Sequence, residues 1–106
     1  TLLGIGEDGH TASLFPGTPT LDIRDRWVAS ITGSRPEPRI TLTFPALNAS
    51  RHLAFLACGA GKRDVVAAIW RGEDYPAGRV RASGDTHWFM DEEACPPEIR
   101  GTGAGG

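Results

Sequence analysis

Cysteine is scarce in this chain: Cys58 and Cys95 are the only two in 106 residues. They allow one disulfide at most and require none, so a reducing, cytoplasmic setting is the simplest expectation. Cys58 closes an apolar run and reads as a small buried hydrophobe. No apolar run approaches the ~20 residues of a membrane span, so no membrane partner is expected. Neither sign of charge dominates. Eleven Lys and Arg against thirteen Asp and Glu give a formal net charge of −2, which excludes the basic surface of a typical nucleic-acid binder. Internal repeats are absent. Beyond Asp8 and His10, no second histidine or cysteine stands at ligand spacing, so neither a metal nor another cofactor is called for.

What is present is concentrated near the start. Gly4-Ile5-Gly6-Glu7-Asp8-Gly9-His10-Thr11-Ala12-Ser13 follows an apolar run and continues into Leu14-Phe15-Pro16-Gly17. In α/β proteins, catalytic groups gather at the carboxyl ends of strands. The Asp8-Gly9-His10 spacing lets a carboxylate orient an imidazole, the side chain best suited to moving protons near neutral pH. Gly6 and Gly9 permit close approach of a ligand, and the exposed backbone N–H groups around them are candidate oxyanion or phosphate donors. A plainer reading stays open on these residues alone. In it Asp8 is a cap, His10 a surface residue, and the glycines only turn the chain.

The pattern along the chain alternates strands and helices, which is the mark of an α/β layered fold. Residues 1–5 read as a short buried strand. Residues 11–15 read as a helical turn stopped by Pro16 and Gly17, and residues 18–26 as loop. Residues 27–32 and 39–43 are strand candidates, with a helical turn over 44–49. The nearly continuous apolar run 52–58 fits a strand buried on both faces of a parallel sheet. A glycine-rich turn then leads into a helix over 62–71, with Val65, Val66, Ile69 and Trp70 on one face. Residues 74–78 read as loop, and Val80 with residues 86–90 as a last strand. From residue 94 the chain turns to proline and then glycine, so residues 94–106 read as a disordered tail beyond a domain of residues 1–93.

Lys62 opens its helix after Gly59-Ala60-Gly61. A cation there is slightly unfavourable unless an anion is near, so the position reads as a phosphate grip or as an ordinary surface lysine. Arg39 begins a strand and suits a phosphate oxygen, or is a strand-edge surface residue. His52 and His87 read as structural. Trp27, Trp70 and Trp88 read as core or subunit-facing aromatics.

The block from Gly4 to Gly17 resembles the signature of the 6-phosphogluconolactonases. So do Pro38-Arg39-Ile40-Thr41-Leu42-Thr43-Phe44-Pro45-Ala46-Leu47-Asn48, Gly59-Ala60-Gly61-Lys62 and Thr86-His87-Trp88-Phe89-Met90-Asp91-Glu92, in family order. The resemblance implies a Rossmann-like three-layer sandwich with a mostly parallel sheet, shared with sugar-phosphate isomerases and deaminases. It implies hydrolysis of 6-phospho-D-glucono-1,5-lactone without a cofactor. His10 would be the general base, Asp8 its orienting partner, and Lys62 the phosphate ligand. It also implies a family length about twice this one, so an N-terminal half of the same fold, carrying further phosphate ligands, is expected. The related glucosamine-6-phosphate deaminases carry a glutamate five residues after the histidine, where this chain has Phe15. A deaminase/isomerase, or a sugar-phosphate-binding domain without turnover, are the rival readings.

Overall fold

The computed structural model describes residues 1–33 and 36–99. Two sheets organise it. In the first, β1 (Leu2–Leu3), β4 (His52–Ala57) and β5 (Asp85–Met90) lie in the order β1-β4-β5, all parallel. In the second, β2 (Val28–Ile31) and β3 (Arg39–Leu42) form an antiparallel ribbon. The helices are α1 (Phe44–Asn48), α2 (Arg63–Trp70) and α3 (Pro76–Arg79). The α/β layered expectation therefore holds, with a parallel sheet as its main layer.

The strands over 27–32 and 39–43 and the turn over 44–49 fall within a residue or two of expectation. Other segments differ, each for a local reason. Residues 11–15 form no helix. Thr11 and Leu14 instead make an isolated antiparallel bridge around Ala12, whose φ is +51°. Residues 76–79 are helical where loop was expected, because Pro76 pre-sets the first-turn φ and lacks only an N–H that needs no partner there. Val80 is buried but belongs to no strand. Lys62 lies in a 3₁₀ turn (Ala60–Lys62), and α2 proper starts at Arg63.

The core occupies one face of the parallel sheet. Leu3, Leu53, Phe55 and Ala57 point into it and meet Val65 and Val66 of α2, Leu14 and Leu47. Trp88 stacks on Phe55 with centroids 4.2 Å apart, and Trp70 meets Trp88 edge-on at 5.3 Å. The opposite face is open. Leu2 (69% exposed), Leu56 (49%) and Phe89 (49%) stand there with the neighbouring His52, Asp85 and His87. The expectation that β4 is buried on both faces is thus corrected. Its run is apolar on both sides, but only alternate residues are covered, and the described residues contribute one helical layer. Trp27 is 64% exposed, so it is no core residue.

Two more corrections concern the cysteines and the chain end. Cys58 is exposed, since β4 has ended and the chain turns outward at Gly59; both cysteines are free. Residues 94–99 are ordered against the core, where disorder was expected. Ala94, Pro96 and Ile99 are buried, and Pro97–Ile99 make a 3₁₀ turn. Residues 100–106 of the expected tail lie outside the described residues.

At the amino ends of β4 and β5, His52 Nδ1 (2.5 Å) and His87 Nε2 (2.9 Å) both face the Asp85 carboxylate. The bond from His52, then that from His87, lowers Asp85 to about 2. A carboxyl held below its unfolded value stabilises the fold above that value and stops doing so as pH falls through the folded one. Asp85→Asn should therefore flatten the acid limb of a urea-midpoint titration between about pH 4 and about 2. The one-sided core gives a second expectation. Leu53→Ala should cost about 2–5 kcal/mol in urea unfolding of the 106-residue chain. Leu56→Ala, one pleat away on the open face, should cost less than about 1 kcal/mol.

Candidate active site

Parallel pairing of β1 with β4 brings the segments leaving their carboxyl ends side by side. One is the histidine loop and the other the turn that carries Lys62. The Lys62 ammonium donates a hydrogen bond to the Ile5 carbonyl, at the root of the loop. The sequence-predicted lysine and histidine thus meet at one end of the sheet.

Within the loop, Asp8 Oδ1 accepts from His10 Nδ1 at 2.5 Å and from the His10 backbone N–H at 3.1 Å. The carboxylate can only accept, so the Nδ1 proton points toward it and Nε2 is the ring nitrogen left for another partner. Burial pushes the Asp8 carboxyl upward. The two hydrogen bonds and the charge interaction with His10 outweigh it, so Asp8 sits below the ordinary carboxylate value. The His10 ring is half-buried, tilted against Phe15 with centroids 4.8 Å apart. It is neither sealed in the core nor loose in solvent.

The glycines act through what they lack. A Cβ on Gly6 would lie 2.2 Å from His10 Nδ1 and Cε1 and 2.8 Å from Asp8 Oδ1, so any side chain there evicts the imidazole. Gly9 has φ +84°, and a Cβ on it would meet the Tyr75 ring at 2.4 Å. Of the N–H groups expected around these glycines to face an oxyanion, the two glycines' own are directed into the loop. The Gly6 N–H donates to the His10 carbonyl at 2.9 Å and the Gly9 N–H to the Gly6 carbonyl at 3.0 Å. The loop uses both donors to close on itself.

One further tie is internal to the loop and two come from far along the chain. Thr11 Oγ1 donates to the Gly4 carbonyl at 2.8 Å, and the Ser13 N–H donates to Thr41 Oγ1 of β3 at 3.0 Å. Ala77 N–H reaches the Gly9 carbonyl at 2.9 Å. Arg39 begins β3 two residues before Thr41 and is exposed. Alternation puts it on the strand face of Thr41, but among the described residues it makes no bond to Asp8, His10 or Lys62.

Sequence reasoning missed Glu7, Tyr75 and Asp91. The Glu7 carboxylate lies against Gly61. Asp91, just past β5, accepts the Gly59 N–H with both oxygens at 3.1 Å and the Ala94 N–H at 2.8 Å. Those bonds, Ala94 first and Gly59 next, hold its carboxyl below the usual range. Asp91 stood inside a block that carried the resemblance, so a signal existed. Tyr75 had none, because only folding brings it over Gly9. A groove of about 440 Å³, lined by Phe55, Ile69, Trp70, Arg81 and Trp88 among others, includes no residue of the histidine loop. The His10 loop lies past the carboxyl end of β1, apart from that groove.

Three comparisons bear on this arrangement. The chain matches the profile of the glucosamine-6-phosphate isomerases/6-phosphogluconolactonase family over residues 1–88. It is 46% identical over 97 residues to 6-phosphogluconolactonase 3, chloroplastic, of Arabidopsis thaliana, covering 88% of this chain and 30% of that protein. It is 46% identical over 100 residues to human 6-phosphogluconolactonase, covering 89% and 39%. The crystal structure of 6-phosphogluconolactonase from Thermotoga maritima superposes with a TM-score of 0.74 at 37% identity, over 84% of this chain and 41% of that one. The chain therefore spans well under half the length of these relatives.

Gly6→Ala should displace the imidazole while leaving the sheet intact. The hydrogen-bonded His10 Nδ1 proton should vanish from the downfield NMR spectrum with the far-ultraviolet circular dichroism unchanged. Retention of that proton would show that the loop tolerates a side chain at this position.

Proposed function

This chain belongs to the glucosamine-6-phosphate isomerase/6-phosphogluconolactonase family, and from that membership we propose that it carries the catalytic loop of a hydrolase acting on 6-phospho-D-glucono-1,5-lactone. The product is 6-phosphogluconate, and the step is the second of the oxidative pentose phosphate pathway. The observation that carries this reading is the 2.5 Å bond between His10 Nδ1 and Asp8, beside the lysine turn.

In the proposed mechanism His10 Nε2 takes a proton from water as its oxygen bonds to the lactone carbonyl carbon. The bond from that carbon to the ring oxygen then breaks, and the imidazolium returns its proton to the departing oxygen. Asp8 holds the ring and stabilises the transient imidazolium. Lys62 retains two ammonium protons beyond the one given to Ile5, and these are available to the substrate phosphate. Arg39 is the second cation we assign to a phosphate oxygen. Binding energy from the phosphate, remote from the carbonyl, positions the ring for attack. The glycines maintain the loop's shape and are not assigned to the oxyanion.

Phe15 supports hydrolysis over deamination. It is buried against the His10 ring and cannot transfer a proton. The longer relatives support the further proposal that the rest of the same fold covers the open sheet face and supplies more phosphate ligands. The two free cysteines fit a reducing compartment such as the cytoplasm.

The full-length protein should hydrolyse the phosphorylated lactone well above the spontaneous rate and release no ammonia from glucosamine 6-phosphate. His10→Ala should lower kcat by about 10²–10⁴-fold. Ammonia release without lactone hydrolysis would replace this reading with the deaminase. Sugar-phosphate binding with no turnover of either substrate would replace it with a binding domain.

A further inference from the structure

Glu7 directly precedes Asp8, yet its side chain reaches across to the other loop. A Cβ on Gly61 would lie 3.0 Å from Glu7 Oε1, 3.1 Å from Cδ and 3.3 Å from Oε2. The carboxylate therefore lies flat over the Gly61 Cα, one residue before Lys62. Glu7 is exposed, and among the described residues it enters no salt bridge; the Lys62 ammonium is bonded to the Ile5 carbonyl instead. The junction of the two loops thus carries a negative charge that no neighbouring cation offsets at contact distance. A neutral isostere would pack against Gly61 equally well, so packing alone does not call for the charge.

We propose that Glu7 is a specificity-determining residue that weakens binding of the reaction's product more than binding of its substrate. The inference rests on the lactone hydrolysis proposed above. Water adds to the carbonyl carbon, the bond to the ring oxygen breaks, and the resulting carboxylic acid loses a proton to solvent. The product carries one more negative charge than the lactone, and that charge arises at the carbon His10 acts on. Substrate and product share the phosphate, so repulsion between Glu7 and the phosphate cancels in their ratio. Repulsion of the new carboxylate does not. One like charge several ångströms away in a partly solvated site changes affinity by about three- to tenfold.

The test uses the full-length protein with Glu7→Gln and, as a charge-retaining control, Glu7→Asp. The KM for lactone and the competitive inhibition constant Ki for 6-phosphogluconate are measured at low and high salt. Glu7→Gln should lower Ki/KM by about three- to tenfold at low salt. Glu7→Asp should stay near the parent ratio. The difference should shrink at about 1 M salt, where the screening length is about 3 Å. An unchanged ratio in Glu7→Gln, or an equal change in Glu7→Asp, overturns the role of Glu7 and leaves the hydrolase reading standing. A parent protein without lactone hydrolysis overturns both.

Discussion

The bond between His10 and Asp8 depends on an empty volume at Gly6. The imidazole occupies the space that any side chain there would fill, and the Asp8 oxygen lies just beyond. On the other flank, Tyr75 fills the corresponding space at Gly9. The ring is held by a carboxylate, by Phe15 and by two missing side chains. The loop closes through its own Gly6 and Gly9 N–H groups, so these two donors serve its shape. A loop that satisfies its own backbone needs no ligand to hold its shape.

Each parallel strand delivers one component at its carboxyl end. β1 leads to Glu7, Asp8 and His10. β4 leads to the 59–62 turn with Lys62. β5 leads to Asp91, which grips Gly59. Gly59 has φ +93° and ψ 154°, a conformation essentially restricted to glycine. The Asp91 carboxylate holds that turn from outside, so Lys62 is positioned by a residue that is not near it in sequence. The ribbon contributes in the same indirect way, through Thr41 on Ser13.

Burial on one face of the sheet links this architecture to the size of the relatives. Parallel sheets are ordinarily covered on both faces. Here the covered face carries the core, while Leu2, Leu56 and Phe89 stand open beside the His52–Asp85–His87 cluster. The relatives of known structure are more than twice as long as the matched region. Alternation along β4 could not foretell this, because Ala54 and Leu56 are apolar whether or not something lies over them.

Local chemistry settled much at the sequence level. Strand and helix positions over 27–57 follow from β-branched and apolar patterning, which acts between near neighbours. The Asp8-Gly9-His10 spacing allowed the Asp8–His10 pair, and the resemblance of the longer block selected it over the plainer reading. The glycine turn and the resemblance singled out Lys62 in the sequence, and the structure brings its ammonium to the root of the histidine loop. Tertiary structure alone decided the rest. Parallel pairing brought Ile5 to Lys62 across 57 residues, Tyr75 to Gly9 and Asp91 to Gly59. It also turned the Gly6 and Gly9 N–H groups inward and Cys58 outward. Such contacts join residues whose sequence neighbourhoods carry no trace of each other, since they exist only once chain entropy has been overcome by burial of the shared core.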